Sequence, residues 1–273
     1  MTNTFQYQNT TISYSDTGSG QIVVLLHGFG EDSHIFDRQV AFLKDRCRII
    51  VPDLPGSGAS VTSGGLSPEE ANLCSSIDAM AECIAALIQS ISGTPVVLLG
   101  HSMGGYITLA VAEKYPERLK AFGLLHSTSF ADSEEKKAGR KKSIGFIQEH
   151  GAFAFLQTAI PALFAEGYQR EHPAEVAGLV ESGKQFTKEA LVAYYNAMID
   201  RPDRSDVLRG SKMPVLFVLG TEDKAVPMED TLKQVHLPDV SYFHVLENVG
   251  HMGMWEATGQ MNSFIIKFIN DIE

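Results

Sequence analysis

Residues 98–105 read Leu98-Leu99-Gly100-His101-Ser102-Met103-Gly104-Gly105, a serine framed by glycines and preceded by the β-branched pair Val96-Val97. Glycines two before and two after the serine let the chain turn sharply from a buried strand into a helix. The serine is then held in a strained backbone conformation at the carboxyl end of that strand. A plain strand–turn–helix connection with Ser102 as N-cap would use the same residues without any chemistry. Three other segments decide between the two.

The first is Gly250-His251-Met252-Gly253, which follows the last predicted strand and precedes the final helix. A glycine-flanked loop at the sheet's carboxyl edge can bring His251 to a serine at the same edge. The chain has nine histidines, so the base has to be chosen. His27 and His101 flank other motif residues, His126 ends a strand, and His150 and His172 fall in a helical insert. The second segment, Gly220-Thr221-Glu222-Asp223, follows the strand pattern at 215–219 and precedes Pro227. Asp223 is the carboxylate placed to accept Nδ1–H from His251, with Glu222 the weaker neighbour; an Asx-turn would also use an aspartate here. The third, His27-Gly28-Phe29-Gly30, follows the apolar run 22–26 and can turn a backbone N–H towards an oxyanion. Its Phe29 N–H and the Met103 N–H after the nucleophile are the expected pair of donors. Nucleophile, base, orienting acid and oxyanion donors are the parts that acyl transfer requires.

Composition narrows the classes. At 273 residues, with 44% hydrophobic and 20% charged residues, the chain is neither disordered nor membrane-like and can bury one substantial core. Its longest apolar runs are far too short to span a bilayer. No basic stretch leads into an apolar one near Met1, so a secretory signal is not expected. Cys47, Cys74 and Cys83 show no C-x-x-C spacing; this excludes a disulfide framework or zinc site as the leading reading and fits a reducing cytoplasm. The net charge of −11 argues against nucleic acid as a partner. The expected partner is a small-molecule substrate, with no membrane, metal or organic cofactor.

Short β-rich runs at 22–26, 48–51, 96–99, 121–126, 215–219 and 242–246 alternate with helical patterns at 34–44, 68–91, 102–115, 228–235 and 255–268. An alternating stretch at 5–14, around Asn9-Thr10, predicts an edge hairpin. The fold class is therefore α/β: a mostly parallel, eight-stranded sheet with helices on both faces. Residues 127–212 break the rhythm, with helical patterns at 134–150, 152–164, 173–183 and 188–199. So long an interval is no plain loop. It predicts a helical cap inserted into a core made of 1–126 and 213–273. Phe164, Tyr194 and Tyr195 in the cap are candidate substrate-pocket residues, although aromatics at helical spacing more often join cap to sheet as core. The basic stretch Lys136-Lys137 to Arg140-Lys141-Lys142 invites an anionic substrate, but Asp132, Glu134 and Glu135 precede it and a solvated helix face is the better reading.

Taken together, the motifs resemble the α/β-hydrolase superfamily, in its cap-bearing branch of serine esterases, enol-lactonases, carbon–carbon bond hydrolases and cofactor-free perhydrolases. The order Ser102…Asp223…His251 is that family's order, and Asp53-Leu54-Pro55-Gly56-Ser57-Gly58-Ala59-Ser60 looks like its loop after the fourth strand. The resemblance covers about residues 20–126 and 213–270. It implies a nucleophilic Ser102, an acyl-enzyme, and a small to medium ester or lactone as substrate. A serine at the elbow argues against the related epoxide hydrolases and haloalkane dehalogenases, whose elbow nucleophile is aspartate. Receptors with the same fold and triad also carry a His-Gly-Phe-Gly segment, so a ligand sensor with slow hydrolysis and a protein partner is the reading from another class.

Overall fold

The structure, a computed structural model, describes residues 2–61 and 66–272. Eight strands form one sheet: β1 (Thr2–Tyr7), β2 (Thr10–Gly18), β3 (Gln21–Leu26), β4 (Cys47–Pro52), β5 (Val96–His101), β6 (Leu119–Leu125), β7 (Val215–Gly220) and β8 (Ser241–Leu246). Their spatial order is β1-β2-β4-β3-β5-β6-β7-β8. From β4 to β8 every pairing is parallel, while β1 and β2 are antiparallel to their neighbours. All residues of β5 and β7 are buried, as expected where helices cover both faces.

On one face, helices Asp37–Leu43 and Thr258–Ile272 pack together; on the other, Ile77–Ile91 lies against Met103–Lys114. Ile77, Met80, Ala81, Ile84 and Ile88 give the third helix its apolar stripe, and all are buried. The predicted single helix over 68–91 is two, Pro68–Cys74 and Ile77–Ile91, bent by 99°. Ser76 starts the second by accepting the Ala79 N–H at 3.2 Å, an N-cap that the continuous apolar pattern hid. The final helix is likewise split, into Gly253–Glu256 and Thr258–Ile272. The hairpin turns at Gln8-Asn9, with Gln8 at φ 52°. Among the described residues no single helix is long and apolar enough to cross a membrane.

Between β6 and β7 the described chain contains helices and no strand. Glu134–His150 packs on Lys188–Asp200 and on Ala152–Ala159. The helix predicted over 152–164 ends at Ala159, because Pro161 redirects the chain into a single tight turn. A short helix, Glu166–Glu171, follows where none was expected. Lys188–Asp200 buries residues around most of its circumference, because it lies between the other inserted helices and the loops of the sheet. Burial raises the Cys74 and Cys83 thiols, Cys83 to about 12, which makes them packing groups.

Candidate active site

The parallel strands deliver their loops to one edge, where Ser102 follows β5, His126 follows β6, Asp223 follows β7 and His251 follows β8. Ser102 has φ 52° and ψ −116°, a conformation that costs an L-residue about 1–3 kcal/mol. The elbow's surroundings hold it there. Its N–H donates to the Leu125 carbonyl at 3.0 Å, and its carbonyl accepts from the Ser127 hydroxyl at 2.7 Å. A Cβ at Gly100 would run into the Gly104 carbonyl, and one at Gly105 into Ser127 Oγ. The glycines of the motif are thus a steric requirement of the turn.

Asp223 is buried, and its four lone-pair sites have four donors. Oδ1 accepts the Ala225 and Val226 N–H groups at 2.9 and 2.8 Å. Oδ2 accepts Nδ1–H of His251 at 2.8 Å and of His126 at 3.1 Å. Burial opposes ionisation of Asp223, but His251 and these hydrogen bonds outweigh it and hold the carboxyl far below its ordinary range. Burial likewise lowers His251, yet Asp223 beside it, with Glu31 and Glu256 farther off, leaves its pKa raised above 6.5. His126 goes the other way: wholly buried, it falls to about 4 and is neutral near pH 7. With its proton on Nδ1, facing Asp223, its Nε2 is a buried acceptor without a partner among the described residues.

A second set of contacts ties the loops together. His27 links its own loop to the next, since Nδ1 donates to the Gly28 carbonyl and Nε2 accepts the Leu54 N–H at 3.0 Å. Glu31 Oε2 accepts the Gly28 N–H at 2.7 Å and His101 Nδ1–H at 2.9 Å. His101 Nε2 lies 3.0 Å from the His251 carbonyl. Burial of Glu31 favours its neutral form, but the His101 charge and the Gly28 hydrogen bond prevail and lower its pKa. His101 thus lies between the Glu31 carboxylate and the His251 carbonyl and bridges the two loops from its two ring nitrogens.

Ser102 and His251 open on one cavity of about 170 Å³ beneath the inserted helices. Phe29, Tyr106, Leu156, Ile160, Leu163 and Tyr195 form much of its wall. Met103 opens the helix Met103–Lys114, so its N–H has no intrahelical acceptor.

A family model described as alpha/beta hydrolase fold matches residues 21–258. The chain belongs to the α/β-hydrolase fold family. A Rhodobacter capsulatus protein named magnesium-chelatase 30 kDa subunit is 30% identical to this α/β-hydrolase over 234 residues, covering 78% of this chain and 75% of that one. The 2-hydroxy-6-oxononadienedioate/2-hydroxy-6-oxononatrienedioate hydrolase of Burkholderia vietnamiensis is 27% identical, covering 94% of this chain and 90% of its own length. The thermophilic esterase of Thermogutta terrifontis, solved with malate bound, superimposes with a TM-score of 0.89 at 28% identity, over 100% of this chain and 99% of that one.

Of the residues singled out in the sequence of this α/β-hydrolase, Ser102, Asp223 and His251 meet at the edge of the sheet, and Glu222 is exposed. Phe29 lies in the cavity wall, its ring stacked on Tyr195 at 4.2 Å. The three pocket candidates separate. Tyr195 lines the cavity, whereas Tyr194 and Phe164 do not. Successive helical residues point about 100° apart, and Tyr194 turns below the cavity to donate its hydroxyl to the Pro55 carbonyl. Phe164 stacks on Tyr168 at 5.4 Å, away from the serine. Sequence reasoning missed Glu31 and Glu256, saw His126 only as the end of a strand, and read Arg140 with its basic stretch as a solvated helix face, whereas Arg140 lines the cavity. For His126 a signal existed in its place at the end of a strand, but it needed the knowledge that β6 lies between β5 and β7.

Proposed function

We propose that this α/β-hydrolase cleaves a small carboxylic ester or lactone through an acyl-enzyme on Ser102. The observation that carries the reading is the strained elbow of Ser102 opening on the same small cavity as a buried histidine that is hydrogen-bonded to a saturated carboxylate. In this reading neutral His251 takes the Ser102 proton as Oγ attacks the carbonyl carbon, and Asp223 stabilises the imidazolium that forms. The Phe29 and Met103 N–H groups receive the oxyanion. His251 then returns the proton to the leaving alcohol, and a water activated by the same imidazole releases the acid. The inserted helices act as a cap whose apolar side chains enclose the acyl group.

The relatives support hydrolysis and leave the bond open. The Thermogutta protein is an esterase, while the Burkholderia vietnamiensis relative is named for hydroxy-oxo-dienedioate and -trienedioate substrates, which contain no ester bond. Carbon–carbon hydrolysis by the same residues is therefore the second reading. The test is turnover of 4-nitrophenyl butyrate and of an oxo-dienoate by wild type and by Ser102→Ala. The expected result is ester turnover that falls by at least about 1,000-fold in the variant. A fluorophosphonate probe should label wild type at Ser102 alone. Labelling of another serine, or ester turnover that survives the substitution, would overturn the assignment.

A further inference from the structure

The helix Glu134–His150 is rich in exposed lysine, but one of its cations, Arg140, is half-buried and faces inward. Arg140 shares a helical face with Ile144 and Ile147, and that face turns inward. Its guanidinium lines the same cavity as Ser102 and His251, and it is the one lysine or arginine among the described lining residues. The group is fixed in place. Nε donates to Asp132 Oδ2 at 2.5 Å and Nη2 to Asp132 Oδ1 at 3.4 Å, while the Tyr195 ring lies 5.5 Å from the guanidinium carbon.

Asp132 does not neutralise the site. Its carboxylate also binds Arg201 Nη2 at 2.9 Å, so two guanidinium groups share one carboxylate and one positive charge is left over. Arg201 is committed to protein, donating to the Met198 and Phe130 carbonyls and lying 3.9 Å over the Tyr106 ring. Arg140 is not. Asp132 takes its Nε/Nη2 edge, while Nη1 has no hydrogen-bond partner among the described residues. Its outer Nη1/Nη2 edge has the fork geometry that matches a carboxylate with two parallel hydrogen bonds. Glu31, the one carboxylate among the described lining residues, is already held by Gly28 and His101.

We propose that the substrate carries a second carboxylate, held by the outer edge of Arg140, while Ser102 attacks the ester or lactone carbonyl. The inference rests on the serine hydrolase reading and names its substrate class. Because the cavity measures about 170 Å³, the spacer between the two groups is short. Half-esters of short dicarboxylic acids, and lactones bearing an acid, are the chemistry that fits.

The test compares monoethyl succinate with ethyl pentanoate, a neutral ester of similar acyl length, in a pH-stat. Wild type should prefer the half-ester in kcat/KM by about 10- to 100-fold, the range for a charge-assisted hydrogen bond made inside a site. Arg140→Met should bring the ratio close to one. Arg140→Lys, which keeps a cation opposite Asp132 but loses the fork, should give an intermediate ratio and guards against a folding defect in the first variant. Calorimetry of succinate binding to Ser102→Ala separates this proposal from the reading beneath it. Succinate bound by Ser102→Ala and lost with Arg140→Met supports the anion subsite whatever bond is cleaved. A wild-type ratio near one, or a preference unmoved in both Arg140 variants, overturns it even if Ser102 proves to be the nucleophile.

Discussion

Asp223 shows how completely a single side chain can be constrained. Two backbone N–H groups fix Oδ1, and two imidazoles share Oδ2. The neutral His126 adds a donor without adding a charge, so it restrains the carboxylate without competing with His251 for its field. The consequence for pH follows from the sign of the His251 shift. A base whose pKa is raised above 6.5 is protonated, and inactive, to a higher pH than a free imidazole. The acid limb of kcat/KM for 4-nitrophenyl butyrate is therefore expected above 6.5. Asp223→Asn removes the leading stabiliser of the imidazolium, so the limb should move to lower pH while the plateau drops by about 10,000-fold. A pH–rate series from about pH 5 to 9 on both proteins reads the two effects separately. A limb that stays where it was would show that Asp223 does not set the protonation of His251.

At the scale of elements, the loops after β3, β5 and β8 act as one unit because Glu31 and His101 join them. Glu31 holds the Gly28 N–H of the expected oxyanion loop, and His101 holds the carbonyl of His251. Removing the Glu31 carboxylate leaves the Gly28 N–H and His101 Nδ1 without their buried acceptor, at a cost of about 1–3 kcal/mol each. Glu31→Ala should accordingly lower Tm by roughly 10 °C in a chain of this size. The Glu31→Ala/His101→Ala double variant should lose less than the sum of the single losses, a non-additivity that calorimetric melts can measure. Additive losses would mean that the two side chains are not coupled. This bridge also marks where reading the sequence stopped. The elbow, the order Ser102…Asp223…His251 and the alternation of strands with helices are local or periodic signals, and each was legible. Glu31 lies 70 residues from His101, and nothing in either neighbourhood announces the other. Helix breaks were lost for a related reason: Ser76 and Ala257 interrupt apolar patterns that continue in phase on both sides.

Across the whole molecule, the inserted helices and the sheet share the loop that carries His251. Glu256 accepts the N–H groups of Gly250 and Met252 on that loop, at 3.0 Å each, and of Ala165 in the insert at 2.9 Å. The His251 N–H donates to the Leu163 carbonyl at 2.7 Å, and a Cβ on Gly250 would lie 2.6 Å from the Ala165 nitrogen. An insert fastened this closely to the edge that carries Ser102 and His251 sets the volume of the cavity beneath it. That volume is small, and part of its wall is Leu156 and Met198, both apolar. Over a series of 4-nitrophenyl esters, each added methylene that fits should help by about 1 kcal/mol of transition-state binding, until one does not fit and the trend reverses. Leu156→Ala and Met198→Ala should move that reversal to longer chains. Phe164→Ala should not, because its ring packs on Tyr168 outside the cavity. The measurement is kcat/KM against acyl length for the four proteins, with Met198→Ala as the safeguard should Leu156→Ala destabilise the insert. A reversal that moves only in Phe164→Ala would place the acyl group on the other side of the insert. One that moves in none of the variants would mean that the insert does not set acyl length.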